Sequence, residues 1–154
     1  MGTSSLNKLR LNQVERALEP FTALKGKTVP PGGWLRSIRE SLGRSLRSQA
    51  AYLDLSPTTL QKSEKSEAED RITLGQLRKL ANGLDCELVY ALVPKNPLHE
   101  MVEDRAQWLA QKEVMGVSHT MALEDQRPSD AFVERKVNER RQELLAGAWS
   151  RLWR

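Results

Sequence analysis

With one cysteine, two histidines and no glycine-rich phosphate-cradling loop in 154 residues, this chain is short of the usual materials of catalysis. A lone cysteine excludes an intramolecular disulfide. Cys86 stands in the apolar run DCELVYALV and reads as a buried thiol of a cytosolic protein. His99 and His119 are far apart, and neither joins a Ser/His/Asp or Cys/His constellation. The expectation is a protein that is not an enzyme, with no catalytic residue, no metal and no cofactor. No apolar run approaches the ~18–20 residues needed to span a bilayer, and no signal-peptide pattern opens the chain, so a cytoplasmic protein without a membrane partner is expected. Charge is plentiful, at 29% of residues against 39% hydrophobic, which is a globular balance with room for one extended domain or two small ones. It is also unevenly spread. Residues 1–50 hold nine Lys/Arg and three Asp/Glu, net +6, which leaves −2 for the remainder of a chain whose total is +4. The basic excess gathers where phosphate contacts are useful to a nucleic-acid binder, although a solvated basic face has the same composition.

The most informative stretch runs from Trp34 to Glu64. Leu35, Ile38 and Leu42 make the apolar stripe of a first helix that Gly43 closes. Ser45 caps a second helix with Leu46, Ala50 and Leu53 inward, and Asp54 occupies a turn where left-handed geometry suits Asp. Ser56-Pro57 is an N-cap followed by a first-turn proline, opening a third helix from Pro57 to about Lys65. That helix carries Thr58, Thr59, Gln61 and Lys62, all hydrogen-bonding side chains. Two helices joined by a three- or four-residue turn, the second polar-faced, form a helix-turn-helix whose second member enters the DNA major groove.

Around this core the chain divides into three parts. Residues 1–33 form a helical arm, with Leu6, Leu9, Val14, Leu18 and Phe21 on an imperfect stripe, and a Pro/Gly linker; Trp34 then opens the core helix as a hydrophobic anchor. Residues 34–96 hold the helix-turn-helix domain and a trailing strand. Within them, residues 62–71 read as a charged loop. Its acids Glu64, Glu67, Glu69 and Asp70 lack the spacing of a calcium loop, so solvation is expected rather than metal binding. Thr73 caps a helix with Leu74, Leu77, Leu80 and Leu84 on one face, and CELVYALVP (86–94) reads as one short β-strand that Pro94 stops. A lone strand pairs either with another segment or with its equivalent in a second copy, and a two-fold homodimer suits palindromic DNA. Residues 97–154 return to helix. Leu98, Met101, Val102, Ala106, Leu109 and Val114 form one stripe, residues 117–126 make a short helical piece, and Ser129-Asp130 opens a last helix running to the end. Trp149 and Trp153, one turn apart there, offer core, dimer or partner contact. The expected fold class is mainly α: a helix-turn-helix bundle with one short strand and added N- and C-terminal helices.

Ala50, Leu53, Ser56, Leu60 and Glu64, followed by ITLGQLRKLANGL, resemble the phage-repressor-like (Cro-type, XRE) helix-turn-helix family at its own spacing. The resemblance implies an ion pair between Arg39 and Glu64. It also implies base reading by the positions of Thr58, Gln61 and Lys62, and phosphate contact by Arg44, Arg47 and Ser56. The family's base-reading position at Pro57 lacks the hydrogen-bonding group for the task. Leu46 replaces the Gln usual after the cap of the second helix, and Gln49 and Ser63 fill core positions, so a loosely packed or modified module is expected, in which the fold survives these changes more easily than the DNA contacts do.

PPGGWLRSIRESLG, EKSEAEDRITLGQLRKLANGLDCELVYALVPKNPL and VSHTMALEDQ, with the Leu/Trp-rich ending, look like the family called mobile mystery protein A. What that resemblance implies is a DNA-binding, autoregulatory, antitoxin-like repressor of a mobile-element operon, binding double-stranded operator DNA and encoded beside a Fic-domain, AMP-transferring enzyme. A rival role is direct inhibition of that enzyme. Thr120 and Glu124 have the Ser/Thr-x-x-x-Glu spacing of Fic-inhibiting helices, although Asp125 stands where those carry Gly or Asn. Thr120, Glu124, Trp149 and Trp153 are the candidate partner-binding residues for this reading.

Overall fold

The computed structural model describes residues 2–123 and 128–154, with Ala122 described by its backbone alone. Seven α-helices and two 3-10 helices are present among them, and no strand. The helices are α1 (Thr3–Leu18), α2 (Trp34–Ser41), α3 (Leu46–Tyr52), α4 (Pro57–Ala68), α5 (Leu74–Asn82), α6 (Leu98–Leu123) and α7 (Asp130–Ala146); 3-10 turns follow α1 at Glu19–Leu24 and α7 at Trp149–Trp153. The chain forms two compact units, one of residues 24–91 and one of residues 1–23 with 92–154.

The 24–91 unit is a four-helix module around Leu35, Ala50, Leu60, Leu80 and Leu84, with Ile38, Leu46, Leu53, Leu55, Ile72, Leu77 and Cys86 packed against them. Side-chain caps start three of its helices: Ser45 accepts from the Ser48 N–H, Ser56 from Thr59 and Thr73 from Gln76. All four helices stop alike. Gly43, Asp54, Asp70 and Asp85 adopt the left-handed conformation with φ of 69°, 56°, 56° and 55°. The residue after each sends its N–H back to a carbonyl of the last turn: Arg44 to Arg39, Leu55 to Ala50, Arg71 to Ser66 and Cys86 to Ala81, at 2.7–3.0 Å. This closure satisfies carbonyls that a helix end otherwise leaves bare.

The structure departs from the sequence expectation at several points. Leu42 lies just past the end of α2 and is exposed, as is Leu74, while Ala81 is buried in α5. Trp34 is also exposed, and Leu35 is the anchor of α2. The charged loop at 62–71 does not exist, because α4 continues through Ala68. The strand expected at 86–94 is absent: among the described residues no backbone hydrogen bond completes a ladder with residues 87–93, and strand propensity without a partner makes no sheet.

In the second unit α6 and α7 run antiparallel. Glu113 meets Arg140, and Val102 and Ala106 form a core with Leu152, backed by Leu109, Leu144, Leu145 and Trp149. Ala106 and Ala110 are fully buried, so the seam of α6 is made of small residues. Residues 117–123 belong to α6 rather than to a separate piece. The last helix stops at Ala146, and Gly147 turns the chain into the short 3-10 segment that places Leu152 in the core. The α1 helix buries no residue completely and leaves Leu6, Leu9 and Val14 exposed. It joins this unit through polar contacts. Ser4 Oγ donates to the Leu145 carbonyl at 2.8 Å, and Glu15 accepts the His99 N–H at 2.9 Å while meeting the His99 ring at 2.9 Å.

Candidate nucleic-acid interface

The α3–turn–α4 pair is set by the two caps and the left-handed Asp54 between them. On α4, Thr58, Gln61 and Lys62 stand at i, i+3 and i+4, so they share one face, and all three are exposed. Leu60 and Glu64 are four apart on the opposite face, and both are buried. The helix is thus fastened by one side and presents an amide, a hydroxyl and an ammonium from the other.

The fastening is partly ionic. Arg39 on α2 donates from Nε to Glu64 Oε1 at 2.6 Å and from Nη2 to Oε2 at 3.1 Å, and its Nη1 reaches the Arg44 carbonyl at 2.9 Å. Both side chains are about 5% exposed. The hydrogen bond to Glu64 holds the Arg39 guanidinium above its ordinary pKa against the opposing effect of burial. A two-point contact fixes the rotation of α4 as well as its position.

Gln49, expected to loosen the core, tightens it. Its side chain is buried, its Nε2 donates to the Gly83 carbonyl at 2.8 Å, and its Oε1 accepts from Arg44 Nη1 at 2.9 Å. Arg44 Nη1 also approaches the Gly83 carbonyl at 3.3 Å, and its guanidinium lies over the exposed Tyr52 ring. Arg44 therefore ties α3 to the end of α5. Ser56 uses its hydroxyl to cap α4, accepting from the Thr59 N–H at 3.1 Å and meeting the Thr59 hydroxyl at 2.7 Å. Ser63 is half-buried and donates to the Thr59 carbonyl at 3.1 Å, and Leu46 packs on the core. Arg47 is exposed on α3, and no metal-holding cluster of His, Cys, Asp or Glu exists among the described residues.

Glu67 is the residue whose role the sequence concealed. Its two carboxylate oxygens accept the N–H groups of Trp34 and Leu35, each at 2.9 Å, so α4 supplies the cap that α2 lacks in its own sequence. The backbone at Gly33 makes room for it: φ there is 81°, and a Cβ would stand 2.7 Å from Glu67 Oε2. The double glycine before Trp34 was the available signal. With Glu64 paired, Glu67 capping, Glu69 beside Arg71 and Asp70 in the left-handed turn, every acid of that cluster has a structural place.

The partner-binding candidates scatter. Trp149 is half-buried and donates from Nε1 to the Leu145 carbonyl at 2.9 Å, whereas Trp153 is exposed beside Arg105. Thr120 is exposed and donates to the Gly116 carbonyl; Glu124 and Asp125 lie outside the described residues.

Residues 35–90 match the family model HTH_3, described as helix-turn-helix. No curated protein and no solved structure matches the chain. Residues 35–90 are thus a helix-turn-helix domain of the DNA-binding, regulatory type, in a chain whose described elements are all helices, none of them long and apolar enough to cross a membrane.

Proposed function

We propose that the chain is a sequence-specific DNA-binding regulator that represses its own operon, with α4 lying in a major groove. The observation that carries this reading is the division of α4, whose Thr58, Gln61 and Lys62 face water while Leu60 and Glu64 of the same helix lock it in place. Gln61 has the donor and acceptor needed to bond adenine at two points. Lys62 suits guanine O6 or N7, and Thr58 suits either a base edge or a thymine methyl. Arg47 and the basic first fifty residues supply phosphate contact, which fixes position without reading sequence. Two such domains related by a two-fold axis read a palindromic operator, so the active species is a homodimer.

The test is binding of the purified protein to DNA from its own upstream region and to a scrambled duplex, across a salt series. Preference for the upstream DNA that survives physiological salt is expected. Gln61→Ala should cost about 1–3 kcal/mol at one base pair, with the fold unchanged. Equal binding to both duplexes, vanishing with salt, would reduce the interface to a generic basic surface.

A second reading has the protein also inhibit a Fic-domain, AMP-transferring enzyme. It draws on the resemblance to mobile mystery protein A, on the Thr120–Glu124 spacing and on the exposed Trp153. AMP transfer by the neighbouring enzyme should then fall when this protein is added and recover with Glu124→Ala. Transfer unaffected by saturating protein would dismiss the reading.

A further inference from the structure

The segment after α5 combines three features. Its residues Leu88-Val89-Tyr90-Ala91-Leu92-Val93 are strand formers, and no hydrogen bond joins the backbone of residues 87–93 to another described backbone group. Three of its large side chains are also in water, with Val89 62%, Tyr90 60% and Leu92 85% exposed, while Leu88 and Val93 are half-buried. An unpaired backbone edged with apolar side chains is a template for another strand. Among the described residues there is no strand to serve, since every element is a helix.

We infer that this segment pairs with the same segment of a second copy, as an antiparallel ribbon centred on Ala91. The sequence selects the register. With Ala91 on the two-fold axis, Val89 of one copy faces Val93 of the other, Tyr90 faces Leu92, and Glu87 faces Lys95, so opposite charges meet at both ends. Lys95, which also interacts within its own chain, reaches solvent at its exposed side chain. Centring one residue earlier would set Glu87 against Val93 and lose the charge match. Proline confirms the phase. Pro94 has no N–H to give, so the Leu88–Pro94 pair belongs at a non-hydrogen-bonded site of the ladder. Alternation then puts Val89, Ala91 and Val93 at hydrogen-bonded sites, where each exchanges N–H and carbonyl with its opposite number. Tyr90, Leu92 and Leu88 line one face of the ribbon and Val89, Ala91 and Val93 the other. Cross-strand pairs of β-branched, aromatic and opposite-charge type are the ones that stabilise such a ladder.

The inference deepens the two-fold reading of the proposed function by naming the surface that makes the dimer. It is tested without DNA, so its failure leaves the assignment of α4 standing. Sedimentation equilibrium of the full chain should show a concentration-dependent dimer. Ala91→Pro removes central ladder bonds and should weaken association by more than about tenfold, with helical content unchanged. In a Cys86→Ser background, Ala91→Cys should cross-link to a dimer under mild oxidation, because hydrogen-bonded pairs hold their Cα atoms ~5.5 Å apart, within disulfide reach. Val89→Cys in that background meets Val93 instead and should cross-link far more slowly. A wild-type monomer at the highest soluble concentration would overturn the inference. So would a dimer indifferent to Ala91→Pro, or cross-linking at position 89 as fast as at 91.

Discussion

The two units of this protein solve the same problem, burying helix faces, with different materials. In the 24–91 unit the core is closed by polar groups with assigned partners: the Arg39–Glu64 pair, the Gln49 amide on the Gly83 carbonyl, and the Glu67 cap of α2. In the other unit the seam is Ala106, Ala110, Val102 and Leu152, and much of the large apolar surface is outside it, at Trp108, Met115, Val117, Phe132 and Trp153. The difference teaches where rigidity is placed. Bidentate and amide hydrogen bonds specify a single orientation, as the proposed base reading by α4 requires; a small-residue seam brings helices close without fixing much else.

Breaking the polar lock should have the largest effect. Glu64→Ala strands the buried Arg39 charge and should cost about 3–5 kcal/mol. Hydrogen exchange should show protection falling across α2–α5 and holding in α6–α7. An unchanged melting temperature would show that the pair is not a lock. Leu152→Ala is the counterpart in the other unit. It removes a side chain with no exposure and should cost roughly 2–5 kcal/mol, with protection lost in α6 and α7 instead. If both variants loosened both units equally, the contrast drawn between them would fail.

Glu67→Ala comes next. Loss of a cap shared by two N–H groups should cost about 0.5–2 kcal/mol, read as a lowered melting temperature and as fraying at Trp34 and Leu35. Recovery by Glu67→Gln should be partial, because the amide oxygen still accepts but the charge at the helix start is gone.

The smallest effect concerns α1. The side-chain hydrogen bond to Glu15 raises the His99 pKa, and the backbone hydrogen bond from His99 followed by the side-chain bond lowers that of Glu15. A raised histidine adds stability that is complete below its unfolded pKa and lost as pH climbs through the folded value. A depressed carboxylate adds stability that is present above its unfolded pKa and lost as pH drops through the folded one. Attachment of α1 should therefore be strongest between the usual carboxylate and imidazole pKa values and weaken on either side. Exchange protection of α1 against pH should follow that window, and Glu15→Gln should flatten it.

The legible parts of the fold were those written in local chemistry. Ser45, Ser56-Pro57, Thr73 and Ser129 announced helix starts, Asp54 its turn, and each does so in the structure. The resemblance supplied Arg39 with Glu64, a pair separated by 25 residues that no local pattern links. The illegible parts were polar residues with buried duties. The second half of α4 has no apolar period because Ser63, Ser66 and Glu67 occupy its half-buried positions, so it passed for a loop. The strand expected at 86–94 is absent because strand propensity belongs to one segment, whereas a ladder is a property of two. Of the DNA-facing candidates, Thr58, Gln61, Lys62 and Arg47 emerge exposed, while Ser56 and Arg44 are also engaged in caps and cross-links.

The repeated left-handed stop of α2, α3, α4 and α5 bears on how quickly this module assembles. Each stop turns the chain by hydrogen bonds spanning only a few residues, so successive helices meet across short loops with little closure entropy to overcome. Chains dominated by such near-neighbour contacts fold in microseconds to milliseconds. The 24–91 unit should reach its native state in a single fast phase, early enough to shelter Leu60 and Leu80 from aggregation while the rest of the polypeptide is still being made.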